Sequence, residues 1–250
     1  MRPLAVIVPA YNESRSIGAT LAALAAQTDT GFTLVVVDNA STDDTAEVVR
    51  SFPAPFPVEV VREDEPGAGT AADTGFRHAI SRGAVLLART DADCLPAPDW
   101  VATARRHLGA GAELVCGRSV PRRDERPSIA ERYVFPGAVR LAALYGRWRR
   151  AHRDPSFRTP YVLIHGHNLA LTADLYQRCG GTARERLEDG SEDVTLLNRA
   201  RRHTDRIVRA EDLVVENSLR RLRAWGAKRT LLWYWDRRWR PAGSGEVHVR

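Results

Sequence analysis

Cysteine is scarce. Cys94, Cys116 and Cys179 stand far apart in a chain of 250 residues, odd in number and without a Cys-x-x-Cys pair. That composition offers neither a disulfide framework nor zinc-ligand spacing, and a reducing cytoplasm is its simpler home. Long apolar runs are missing too. Nothing reaches the roughly 18 consecutive apolar residues of a membrane span, and the run after Met1 is too short for a signal peptide. Glycine is not arranged for the common nucleotide loops. Gly67 and Gly69 lack the third glycine of a dinucleotide fingerprint, the first apolar run passes into Pro9-Ala-Tyr, and no GxxxxGK[ST] segment occurs. Internal repeats and long low-complexity stretches are absent as well.

What is present is enough apolar material, 44% of residues, for one sizeable domain, or one domain with a small appendage. The net charge of +6 favours anionic partners, and Arg is dense across 199–240. Leu4–Val8, Leu34–Asp38, Val58–Val61, 85–90 and Glu113–Cys116 read as short buried strands. Between them lie helical patterns: one after Ser16, with Ile17, Leu21 and Leu24 at i, i+4 and i+7; one opened by Ser41–Asp44; one over Thr70–Arg82; one over Trp100–Leu108. Alternation this regular predicts a doubly wound, mostly parallel α/β sheet with helices on both faces. Later segments are less regular. A helix is expected over 129–152, strands at 161–164, 169–171, 207–208 and 213–215, helices capped by Asp174 and over 194–201, and a helix in 219–240.

Ligands of such sheets bind beyond the carboxyl ends of the strands. That rule selects Pro9–Glu13, Asp38–Ser41 and Thr90–Cys94, and all three are polar clusters. Asp91 and Asp93 are one residue apart and repel unless a cation joins them. A hard divalent ion bridging to a diphosphate is one solution. A turn in which Asp side chains bond local amides is the other.

The motifs Val6–Glu13, Val35–Thr45, Thr90–Asp93, Gly166–Ala170 and Glu192-Asp193 occur in an order that resembles family 2 glycosyltransferases of the GT-A fold, over about residues 4–200. The resemblance implies transfer of a sugar from a UDP- or GDP-linked donor to an acceptor hydroxyl, aided by Mn²⁺ or Mg²⁺. It implies a nucleotide-sugar-binding half at 1–116, an acceptor-binding half at 117–215, and a basic aromatic C-terminal helix and tail at 216–250. Pro9, Ala10, Tyr11 and Glu13 would line the base and ribose pocket, and Asp38 would accept from the base. Asp91 and Ala92 would face the donor, Asp93 would ligate the metal, and Asp193 would be the general base of an inverting reaction. His167 and Glu192 are candidates for the acceptor side. Pro66 and Asp73 depart from the family pattern, and Asp73 has a helix-face partner in Arg77.

Competing readings stand beside each assignment. Tyr11 suits a core position, Asp38 suits a turn cap, and Glu13, Glu192 and Asp193 suit helix N-termini. A retaining transferase or a sugar nucleotidyltransferase is the enzymatic alternative. A basic nucleic-acid- or membrane-surface-binding protein is the alternative of another class, although nucleic acid is not the expected partner. The acceptor is open between lipid carrier, saccharide, peptide and small metabolite. Leu219, Leu222, Trp225, Leu232 and Trp233 among Arg and Lys suit either a packed helix or peripheral contact with the inner membrane face through 219–240.

Overall fold

A computed structural model describes residues 2–146, 154–184 and 192–234. The first half alternates as expected: β1 Leu4–Ala10, α1 Ile17–Ala25, β2 Thr33–Asp38, α2 Thr45–Ser51, β3 Val58–Arg62, α3 Ala68–Ser81 and β4 Leu86–Arg89. Then come β5 Leu95–Pro96, α4 Trp100–Gly109 and β6 Leu114–Pro121. A π-helical turn over Ala130–Val134 leads into α5 Phe135–Gly146. The remainder is β7 Leu169–Thr172, α6 Ala173–Arg178, α7 Glu192–His203, β8 Ile207–Asn217 and α8 Arg220–Tyr234.

One sheet holds the eight strands of the described residues in the order β3-β2-β1-β4-β7-β6-β8-β5. The strands from β3 to β4 are parallel, and β7 runs antiparallel to both neighbours. The expected boundary at 116/117 falls inside β6, and that at 215/216 inside β8. Strand alternation divides the core into two layers. Leu4, Val6 and Val8 face α1 and α4, while Ala5 and Ile7 face α3, α6 and α7. Burial on both faces explains why β1 is a continuous apolar run. Ile17, Leu21 and Leu24 are fully buried, each contributing about 1.5–3 kcal/mol of apolar burial.

Several expectations need correction. Residues 161–164 form no strand: Tyr161 and Ile164 are buried, but their backbone joins no ladder. Apolar pattern reports burial and does not specify pairing. The two late strands are one, β8. Its register against β6 jumps from Gly117↔Ala210 to Arg118↔Val214, and the intervening bulge carries the polar pair Glu211 and Asp212 that looked like a break. Asp174 does not cap α6; the Thr172 hydroxyl does, accepting from the Leu175 N–H. The 129–152 helix is two pieces, and 147–153 lie outside the described residues.

Ser41 does not cap α2 either. Its hydroxyl accepts from the Asn12 N–H at 3.0 Å, tying the β1 and β2 ends together. All three cysteines are free and buried, and burial pushes their thiols above the usual range, Cys116 to about 12 and Cys179 to about 11.

Candidate active site

The polar loops after β1 and β2 are laced to each other. The Glu13 N–H donates to the Thr45 hydroxyl at 2.8 Å, and the Thr42 N–H donates to Asn12 Oδ1 at 2.8 Å. Asn12 and Ala40 both adopt positive φ, 53° and 56°. Alanine has no local bond to compensate that conformation, so backbone strain collects at the mouth of the sheet. Above it opens a cavity of about 470 Å³ bordered by Pro9, Ala10, Tyr11, Asn39, Ala40 and Gly67, with the Asp91–Asp93 loop on one side.

Asp38 is buried. One of its oxygens accepts from the Ser41 N–H at 3.1 Å, as a turn cap does, and the other lies 3.8 Å from Arg62. Its neighbour Asn39 shapes the wall of the cavity. The Asn39 amide donates to the carbonyls of Glu63 and Glu65 and accepts from the Gly67 N–H, fixing the loop into α3. Asp73 faces away from the cavity. It is buried between Arg77 at 2.8 Å, the Tyr176 hydroxyl at 2.6 Å and Arg184, so its role is structural.

The acid loop is held from behind. The Ala92 carbonyl accepts from the Thr20 hydroxyl, and the Asp93 carbonyl accepts from Arg122. Asp91 projects into the cavity with Arg89 3.3 Å away. Arg89 is buried at the end of β4, and Glu192 approaches it at 3.6 Å. Burial opposes the Arg89 charge, but Asp91, Glu192 and Asp193 together hold its pKa above the ordinary value. Asp93 has a cation of its own: one Arg220 nitrogen sits 2.7 Å from Asp93 Oδ2 and 2.7 Å from Glu13 Oε1. Burial opposes ionisation of Asp93, and Arg220 overrides it, keeping the carboxyl below its usual range.

Among the described residues no three His, Cys, Asp or Glu side chains converge as a ready-made metal cage. The donor set nevertheless fits a hard cation. Asp91 and Asp93 offer oxygens at an open cavity, and magnesium-like ions are held by one or two carboxylates with substrate phosphates and water. That Asp93 and Glu13 already grip a guanidinium shows the place attracts positive charge. Buried polar atoms without a partner also gather here. Asn12 Nδ2 after β1, and Arg89 Nε and Thr90 Oγ1 at the end of β4, are left unsatisfied by the described residues.

Asp193 begins α7. Its oxygens accept from the Gly166 N–H at 3.2 Å and the Val194 N–H at 2.7 Å. Glu192 packs against Gly69 of α3 and does not border the cavity. His167 does border it, with Nε2 2.9 Å from the Ser119 hydroxyl, and His165 stacks on it with ring centroids 5.2 Å apart. Burial lowers the pKa of both rings.

The pattern described as Glycosyl transferase family 2 matches residues 5–178. The chain belongs to that family. A validoxylamine A glucosyltransferase of Streptomyces hygroscopicus subsp. jinggangensis is 30% identical over 226 residues, covering 80% of this chain and 51% of the relative. Glycosyltransferase AglE of Haloferax volcanii is 36% identical over 135 residues, covering 52% of this chain and 43% of AglE. The chain thus spans about half the length of these curated relatives. Among solved structures, mannosyltransferase PcManGT of Pyrobaculum calidifontis, in complex with GDP-Man and Mn²⁺, superposes with a TM-score of 0.65 at 25% identity, covering 100% of this chain and 69% of that one. S. aureus TarS 1-349 superposes at 0.60 with 16% identity, covering 93% of this chain and 65% of that one, which speaks to the fold alone. The fold is that of GT-A glycosyltransferases.

Two residues of this glycosyltransferase's site escape motif reading. Arg89 interrupts an otherwise apolar strand, and a charge in such a run is the signal that marks it. Arg220 lies 127 residues from Asp93 and reaches it because β5, directly after the acid loop, pairs with the end of β8 through Leu95↔Glu216. The segment after β8 packs inward: Leu219, Leu222 and Trp225 are buried. The side chains of Leu232 and Trp233 lie outside the described residues.

Proposed function

We propose that this glycosyltransferase moves a sugar from a UDP- or GDP-linked donor to an acceptor hydroxyl with inversion, using a Mn²⁺ or Mg²⁺ ion at Asp93. The observation that carries the reading is the Asp91/Asp93 loop facing a cavity walled by the β1 and β2 ends, with a cation already seated on Asp93. Tyr11 supplies a flat face for the base, and Asp38 suits its N–H edge because a carboxylate only accepts. Asp93 would hold the ion, and Asp91 would face the donor. Bound there, a divalent ion stabilises the charge that builds on the departing diphosphate. Asp193 takes the proton of the attacking hydroxyl. Hydrogen bonds from the Gly166 and Val194 N–H groups orient the carboxylate.

The test compares transfer from UDP- and GDP-sugars with Mn²⁺ in wild type, Asp93→Asn and Asp193→Asn, with product anomers read by NMR. Asp93→Asn is expected to lower transfer by about a hundredfold or more. Asp193→Asn is expected to abolish transfer while UDP or GDP still raises the melting temperature. Full activity in Asp93→Asn sinks the metal assignment, and a retained anomer sinks inversion.

A second reading concerns where the acceptor is met. Ile129 just before the π-turn, Tyr133 and Val134 on it and Leu141 on α5 are 63–79% exposed, while Pro136 and Val139 of the same segment border the cavity. Exposed Arg126, Arg132 and Arg140 surround them. No helix among the described residues is long and apolar enough to cross a membrane. This face instead suits contact with an anionic lipid surface beside the acceptor side of the cavity.

A further inference from the structure

Arg220 is delivered to the acids by packed backbone. β8 ends at Asn217, whose carbonyl accepts from the Arg122 N–H at 3.0 Å. The Leu219 N–H donates to Glu125 at 2.8 Å, and the Leu219 side chain is buried. The guanidinium is therefore set in place at the first turn of α8, between Glu13 from the loop after β1 and Asp93 from the β4–β5 loop. Burial opposes its charge, and the two carboxylates hold its pKa above the ordinary value.

Resting on the reading that Asp93 ligates the divalent ion, we propose that Arg220 is a positioning residue that stands in for the ion while the donor is absent and passes to the donor's diphosphate when ion and donor arrive. Asp93 Oδ2 cannot serve both cations at full strength, and a guanidinium and a divalent ion on one carboxylate repel. A diphosphate removes the conflict. It carries several anionic oxygens, and the guanidinium fork matches phosphate geometry. Glu13 keeps its second oxygen on the Ser16 hydroxyl, so it has a partner after Arg220 leaves. The empty site then resists free metal, and the pair of ligands binds as a unit. By linkage, the factor by which nucleotide tightens metal binding equals the factor by which metal tightens nucleotide binding.

The experiment is a Mn²⁺ titration of the full chain followed by electron paramagnetic resonance, with and without UDP or GDP, in wild type, Arg220→Gln and Asp93→Asn. Without nucleotide, Arg220→Gln is expected to bind Mn²⁺ about tenfold more tightly than wild type, a difference of about 1.4 kcal/mol. With Mn²⁺ saturating, it is expected to bind the nucleoside diphosphate about tenfold more weakly. Arg220→Met keeps the apolar stem and serves the same comparison if the amide variant does not fold. Donor-free Mn²⁺ affinity unchanged or weaker in the Arg220 variants, with Asp93→Asn still abolishing it, overturns the role of Arg220 and leaves the metal reading standing. Wild-type Mn²⁺ affinity in Asp93→Asn overturns the metal reading, and this inference with it.

Discussion

At His165 the fold holds an imidazole that pays for its burial in pH sensitivity. The ring is 9% exposed and stacks on His167, and burial, then the charges of His167 and Arg209, hold its pKa well below the usual 6.5. The unfolded chain binds a proton near pH 6.5, and the folded one does not until much lower. Stability is therefore full above pH 6.5 and falls as pH drops below it, by about 1.4 kcal/mol per unit for this ring alone. Urea unfolding at pH 7.5 and 5.5 checks this: the midpoint is expected to drop, and to drop less in His165→Phe, which keeps the stack and cannot titrate. The site's own residues were unequally legible. Pro9, Ala10, Tyr11, Asp91 and Asp93 could be placed at the cavity because each lies at or just past the end of a strand whose apolar run is plain. Arg220 could not, since its position depends on a long-range pairing no local pattern encodes.

At the level of single elements, α3 depends on a missing side chain. A Cβ on Gly75 would stand 2.7 Å from Ile7 Cγ2 and 2.8 Å from Val37 Cγ2. Both neighbours are buried strand residues, so neither can yield cheaply. Gly75→Ala improves helix propensity but wedges α3 off β1 and β2, and a net loss of about 1–3 kcal/mol is expected. A lower urea midpoint with an unchanged slope is the check; an unchanged or raised midpoint contradicts the packing. α1 to α4 and β1 to β4 follow from apolar period, although none of those helices has a side-chain cap, and the two-residue β5 carries no such signal. The second half resisted for identifiable reasons. β8 contains a bulge whose polar residues imitate a turn, and 161–164 are apolar through contact with the core and lie off the sheet.

Taken whole, the molecule combines a net charge of +6 with an outward apolar face on the π-turn and α5. Co-sedimentation with vesicles containing phosphatidylglycerol is expected, weakening with salt and absent on purely zwitterionic vesicles. Tyr133→Ser with Leu141→Ser is expected to reduce that binding severalfold without lowering stability, because both residues are exposed. Binding equal to wild type in the double variant excludes this face. The α/β class was legible from alternation alone. The strand order was not, because β7 enters the middle of the sheet in reverse, a choice made by tertiary packing.

The late arrival of β8 has a practical consequence for anyone cutting the gene. The family pattern stops at residue 178, yet β8, starting at Ile207, is what covers the edge of β6 and clasps β5. A fragment trimmed to that pattern would keep Asp91 and Asp93 but lose Asp193. It would also bare a long strand edge open to intermolecular pairing, and the loop carrying Asp93 would lose its fastening.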